Sequence, residues 1–265
     1  MQPYTEDFFK GQQEGSRRSA LEILPLVLTL IHPRRVIDVG CGVGTWLAAL
    51  RNLGIEDVWG VDGDYVARSL LHIPAERFIP HDLTKPLRLE NEFDLAISVE
   101  VAEHLPAACA GDFIDSLTRL APIVLFSAAI PFSRGLHHLN EQWPEYWVAH
   151  FQARDFVAVD CLRRRIWQND LVEWWYAQNI LLFVRRDHLD RHPPLQRELE
   201  INGPVPLALI HPKNFLATNQ YLAAVSDPRN ISLRWVLRVV PVLIKNALKR
   251  RLKRIYSRFA PDGRA

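Results

Sequence analysis

Cysteine is scarce in this sequence, and the little there is forms no pattern. Only Cys41, Cys109 and Cys161 occur among 265 residues, an odd and widely spaced set that offers neither a disulfide framework nor a CxxC metal site. A reducing, cytoplasmic setting is the expectation. Long apolar runs are missing too: no stretch of about eighteen apolar residues occurs, which argues against a membrane-spanning helix. The opening residues Met1-Gln-Pro-Tyr-Thr-Glu-Asp7 are polar, so no secretory leader is expected. Internal repeats and low-complexity segments are likewise lacking. Acid is nearly absent from the tail. Residues 231–265 carry ten Lys and Arg against one Asp, net +9, whereas residues 1–230 carry 22 basic and 29 acidic side chains, net −7. The overall charge of +2 conceals two distinct electrostatic objects.

What is present is a 48% hydrophobic chain, long enough for one large α/β domain with appendages. Its organising stretch is Arg35-Val-Ile-Asp-Val-Gly-Cys-Gly-Val-Gly-Thr-Trp-Leu47. A β-branched run ends in three alternate glycines and passes into a segment of helical composition, which predicts strand, tight turn and helix. Gly40, Gly42 and Gly44 remove Cβ atoms from the path of a ligand and permit positive φ. The spacing is not that of a dinucleotide fingerprint, because Thr45 and Leu47 stand where GxGxxG wants its last glycine, and no Lys follows as a P-loop requires. Asp38-Val-Gly40-Cys41-Gly42-Val-Gly44 resembles the first motif of class I S-adenosylmethionine-dependent methyltransferases.

Downstream residues extend the resemblance over about residues 17–186. Asp57-Val-Trp-Gly-Val-Asp62 predicts a second strand ending in a carboxylate about twenty positions beyond the first glycine, where a ribose needs an acceptor. Asp64 is the second choice. Arg77-Phe-Ile-Pro-His81-Asp82-Leu83 reads as a short third strand followed by Asp-Leu, which resembles the adenine-binding turn of the family, with a helix cap as the other role open to Asp82. A fourth strand, Phe93–Val99, delivers Glu100-Val-Ala-Glu103-His104-Leu105, which resembles the fourth motif of small-molecule members. The resemblance thus implies cofactor contacts from Asp38, Gly40, Cys41, Gly42, Gly44, Asp62, Gly63, Asp82, Leu83 and Glu100. His104 is a candidate base facing the methyl group, or a cap of the following helix.

After a fifth strand, Pro122–Ala129, the loop 131–147 gathers His137, His138, Asn140, Glu141, Gln142, Trp143 and Trp147. That density of polar and aromatic groups suits a polar, sugar-like substrate, with His138 and Glu141 as catalytic candidates; Asn140 capping the next helix and tryptophans as core anchors are the alternative. No HExxH or clustered His/Cys spacing is present, and no metal is expected. Tyr4, Phe8, Gln12 and Ser16 are placed in a lid over the cofactor or simply in packing, with Gly15-Ser16 capping an apolar helix that Pro25 kinks or restarts. Arg163-Arg-Arg-Ile-Trp167 and Glu173-Trp-Trp-Tyr176 offer an anion or carbohydrate site, or a structured insertion. Residues 187–230, rich in proline, read as an extended linker packed on the domain.

The resemblance implies a Rossmann-like α/β fold with a seven-stranded, mostly parallel sheet of order 3-2-1-4-5-7-6, helices on both faces, and a basic helical extension over 231–265. It implies transfer of the methyl group of S-adenosylmethionine, with O-methylation of a polar small molecule or glycan as the expected reaction. A nucleic-acid methyltransferase is the competing reading. Ser98-Val-Glu-Val101 stands where such enzymes carry DPPY or NPPY, so nucleic acid is not the expected partner. A non-catalytic binding or scaffold protein is a third. The tail, with Trp235 and Lys249-Arg-Arg-Leu-Lys-Arg254, has the pattern of an interfacial helix and places peripheral contact at the inner face of a membrane among the expectations.

Overall fold

The structure, a computed structural model, describes residues 6–90, 92–133, 135–202, 206–230 and 232–259. Two compact units make up the chain, 1–215 and 216–265. In the first, β1 (Arg35–Val39), β2 (Asp57–Asp62), β3 (Phe78–Pro80), β4 (Leu95–Val99), β5 (Ile123–Ser127), β6 (Phe156–Val159) and β7 (Leu181–Arg185) form one sheet of order β3-β2-β1-β4-β5-β7-β6. The first five run parallel, and β7 lies antiparallel to both β5 and β6. The expected architecture is therefore present, strand order included.

Alternation along the strands divides the core in two, because successive side chains point to opposite faces. On one face Val36, Leu95, Ile97, Ile123, Leu125, Leu182 and Val184 pack with Ile23, Leu24 and Val27 of α1 (Glu6–Ile31) and Leu47 of α2 (Thr45–Asn52). On the other, Ile37, Ala96, Val124, Phe126 and Phe183 meet Phe113 and Ile114 of α3 (Ala110–Leu120) and Phe151 of α4 (Pro144–Gln152). Phe151 stacks on Phe183 with ring centroids 3.7 Å apart. A sheet covered on both faces needs continuous apolar strands, and these supply them.

Three local expectations are corrected. Helix α1 does not begin at Ser16 but at Glu6, and it runs unbroken through Pro25. Gly15 is explained by a distant neighbour instead: a Cβ there would lie 2.4 Å from Glu173 Oε1. The supposed extended linker is helical, with α7 at Pro193–Asn202 and α8 at Pro212–Ser226. Both helices start on a proline, a first-turn position where its missing N–H costs nothing. Of the three-arginine run, Arg163 is not open to an anion. Arg163 is buried in α5 (Arg163–Ile166), paired with Asp160 at 2.6 Å and donating to the Gln178 and Leu207 carbonyls. Tyr4 and the side chains of Phe8, Phe9 and Gln12 lie outside the described residues.

In the second unit, α9 (Leu233–Phe259) contains Pro241 and exposes Trp235, Leu237, Val242, Leu243, Ile244 and Leu248. Among the described residues, no helix is long and apolar enough to cross a membrane.

Candidate active site

Strand order reverses between β1 and β4, and ligands of open α/β sheets bind at the carboxyl ends of the strands flanking such a point. A cavity of about 1090 Å³ opens there, at the large end of the roughly 300–1,000 Å³ usual for ligand sites. It has room for a nucleoside-sized molecule and a second reactant.

One side is the glycine turn. Gly40, Gly42 and Gly44 have φ of 87°, 54° and 85°, left-handed values that favour glycine. Space forbids a side chain at Gly40 as well, since a Cβ there would meet Val101 Cγ2 at 2.4 Å, whereas beside Gly42 the space is open. Asp62, at the end of β2, accepts from the Gly42 N–H at 2.7 Å, the Gly63 N–H at 2.7 Å and the Tyr65 hydroxyl at 2.5 Å. Burial nevertheless raises its pKa, with those three bonds pulling the other way. Asp38 is pushed up further, by burial first and by Asp62 second. Cys41 lines the same wall, and Gly44 sits one step back against Ile73.

Asp82 and Leu83 also reach the cavity. The Asp82 carboxylate closes its own turn, accepting from the Thr84 N–H and hydroxyl and pairing with Lys85 at 3.1 Å, and these bonds hold its pKa down to about 2. No helix follows it, so Asp82 closes a turn and does not cap a helix. Asp64 is exposed on the rim.

The opposite side is built by the loops after β4 and β5. Glu100 adopts a left-handed φ of 55°. Its N–H donates to Ser127 and its carboxylate accepts from Asn179 Nδ2 at 3.2 Å. Burial lifts Glu100 to about 7, and it raises the neighbouring Glu103 well above its usual value. Glu103 joins the loops: its carbonyl accepts from the Leu139 and Asn140 N–H groups at 2.8 and 2.9 Å, and its Oε1 accepts from the Ala129 N–H at 3.2 Å. His104 and His138 meet edge to face with ring centroids 4.8 Å apart. Burial, then the neighbouring His138, lowers His104 to about 4, so it is neutral at pH 7. Glu141 is not on the cavity wall. It stands behind His138, taking the ring at Nδ1 at 2.8 Å while its other oxygen accepts from the Phe132 N–H at 2.7 Å.

Asn140 is buried and its carbonyl accepts from Gln142, so it does not cap α4, whose first residue is preceded by Trp143. Trp147 is core, as the packing alternative had it; Trp143 is exposed. Ser16 does reach the cavity, accepting from Trp46 Nε1 at 3.1 Å. The wall also carries Trp174, Trp175 and Tyr176, from α6 (Trp174–Asn179). Tyr65 and Asn179 are the residues that sequence reasoning missed, and no local pattern marks either.

A family model described as a methyltransferase domain matches residues 12–179. No curated protein matches the sequence. Among solved structures, a sugar N-methyltransferase from Streptoalloteichus is 16% identical with a TM-score of 0.53, over 69% of this chain and 93% of its own. The magnesium protoporphyrin IX methyltransferase of Synechocystis, solved with bound SAH, is 18% identical with a TM-score of 0.49, over 67% of this chain and 87% of its own.

Proposed function

The chain belongs to the class I S-adenosylmethionine-dependent methyltransferase family, and from that premise we propose that it O-methylates a polar, hydroxylated small molecule or glycan. The observation that carries this reading is one continuous cavity with two unlike walls, a glycine turn with paired carboxylates on one side and a histidine pair on the other. The residues present fit the family's cofactor. Asp62 Oδ1 already accepts a hydroxyl, as it would from a ribose; Gly42 leaves the backbone open; and buried Asp38 suits an ammonium group. When bound, the cofactor supplies a methyl group activated by its sulfonium. The chain's own work is then alignment, worth several kcal/mol in well-oriented reactions, about 7–11 at most, and removal of the acceptor's proton at the His104/His138 wall. The simplest agent is His138 Nε2, the nitrogen left over once Glu141 holds Nδ1.

Incubating cell extract with the protein and isotopically labelled methyl donor, followed by untargeted mass spectrometry, tests the acceptor class. Labelled hydroxylated metabolites or glycans support it. Label appearing only in nucleic acid overturns it.

We assign the tail to an anionic membrane surface. Arg234, Arg238, Lys245 and Lys249 share one stripe at helical spacing, beside an exposed apolar surface that includes Trp235, a combination suited to an interface. Each basic residue near an anionic bilayer contributes about 1 kcal/mol. Lys249, Arg250 and Arg251 replaced together by Glu should therefore release the full-length protein from anionic vesicles in a flotation assay. Equal flotation of both forms, or of neither, removes the assignment.

A further inference from the structure

Of the buried polar atoms on the acceptor wall that have no hydrogen-bond partner among the described residues, two belong to one cluster of possible ligands: Glu103 Oε2 and His104 Nδ1. Glu103 is wholly buried. A carboxyl group removed from water is ordinarily neutralised, paired with a cation or coordinated to a metal; no Lys or Arg among the described residues bonds to this one, and its neighbour is another acid, Glu100. His138 completes the group. Glu103, His104 and His138 each offer one ligand atom, and the three atoms lie within 4.8 Å of one another.

We infer that these three side chains bind one divalent first-row transition-metal ion. The donor set selects its class. Two imidazole nitrogens and one carboxylate oxygen suit Mn²⁺, Fe²⁺, Co²⁺ or Zn²⁺, whereas Mg²⁺ and Ca²⁺ prefer oxygen alone and Cu⁺ prefers sulfur. Three protein ligands leave positions open to the cavity, the arrangement of catalytic rather than structural ions.

The outer shell is in place. Glu141 grips His138 at Nδ1, the carboxylate–histidine arrangement that fixes a ligand's tautomer and aims its other nitrogen. Glu141 is itself held by the Phe132 N–H. Glu103 Oε1 is held by the Ala129 N–H, which leaves Oε2 for the ion. Bonds of about 2.0–2.2 Å require donors within about 4.4 Å of one another even when they are opposed. The three donors therefore draw together by a few tenths of an ångström when an ion is held. The His138 ring packs directly on Gly135, where a Cβ would lie 1.8 Å from His138 Nε2, so the position accepts no side chain while the ring stays there.

This assignment rests on the reading of the wall as the acceptor side, and it replaces the histidine base with a Lewis acid. The acceptor hydroxyl binds the ion through oxygen and, acidified, gives its proton to solvent. The oxygen lone pair then forms the C–O bond to the methyl carbon as the carbon–sulfur bond breaks, and that bonding pair returns to sulfur, leaving a neutral thioether.

Tag-free full-length protein, stripped with a chelator, is titrated separately with Mn²⁺, Co²⁺, Zn²⁺ and Mg²⁺. Calorimetry and elemental analysis give affinity and stoichiometry, and Co²⁺ absorption reports the ligand field. One transition-metal ion per chain is expected. Glu103→Gln, His104→Ala and His138→Ala should each abolish it, and Glu141→Gln should weaken it about 10–100-fold, with circular dichroism checking the fold of each variant. Failure of every ion to bind, tighter binding of Mg²⁺, or unchanged binding in folded variants overturns the inference. S-adenosylmethionine affinity is measured on the same stripped protein. If it binds and methyl transfer survives the chelator, the metal assignment fails and the methyltransferase reading stands. If the ion binds through these residues and S-adenosylmethionine does not, the reverse holds.

Discussion

The two walls of the cavity differ in how their polar groups are satisfied. On the glycine-turn wall Asp62 has a donor on each oxygen, and the turn's N–H groups bond to Val61, Cys41 and Asp62. On the opposite wall Glu103 Oε2, His104 Nδ1 and Ser133 Oγ have no partner among the described residues. Strain divides the same way. Positive φ falls on glycines in the first wall, but on Glu100, Phe132 and His137 in the loops of the second, at a cost of about 1–3 kcal/mol each. A pocket for a cofactor common to many enzymes is preorganised and internally complete. A pocket that distinguishes one acceptor carries polar capacity for the reactants to complete.

The sharpest way to break this comparison is to show that the walls do not act separately. His138→Ala, which removes either a base or a ligand of the ion, should slow methyl transfer by about 10²–10⁴, while leaving S-adenosylmethionine affinity unchanged by calorimetry. A parallel loss of affinity would mean the walls are one unit. Asp62→Asn should do the converse, weakening the cofactor about 10–100-fold through loss of charge-assisted bonds of about 1.5–3 kcal/mol with little effect on turnover at saturation. Tyr65→Phe sharpens the first wall. The phenol occupies the Asp62 oxygen that a ribose hydroxyl would use, so its removal should tighten cofactor binding by about tenfold, the low end of what a hydrogen bond to a charged group contributes. Weaker binding would show that Tyr65 supports the site rather than competing in it.

The smallest effect expected is on stability. Glu100 is lifted from 4.5 to about 7 in the fold, so between those pH values the folded state holds a proton that the unfolded state has lost. Stability therefore falls as pH rises through that window and is lowest above it. In chelator, the melting temperature should drop by a few degrees from pH 6.5, above the range in which His104 contributes, to pH 8, and Glu100→Gln should lessen the drop. A wild-type melting temperature that climbs over that range would mean that the acid pair is not protonated in the fold.

The glycine-turn wall was legible because its parts are near neighbours in sequence. Val36-Ile37 before Gly40, and the acid at the end of the next strand, follow from local pattern. The sheet was legible for the same reason, through runs such as Ile123–Phe126. The acceptor wall was only half legible. Glu103 and His104 are adjacent, but His138 reaches them through main-chain bonds that no spacing announces, so the metal-type cluster among Glu103, His104 and His138 went unseen. Gly15 misled as a helix start because its reason is Glu173. The prolines of 187–230 misled because Pro193 and Pro212 open helices, and proline signals a boundary without saying on which side the helix lies.

Glu103 meets its neighbours at two levels that mutagenesis treats differently. The bonds from Leu139 and Asn140 end on its main-chain oxygen, an atom every amino acid possesses. Codon randomisation at this position therefore rewrites the reactive surface while the hinge between the two loops stays encoded. A library at 103, combined with one at 138, samples new acceptor chemistries on loops that keep these main-chain bonds and give up the Glu103 side chain's hold on the Ala129 N–H.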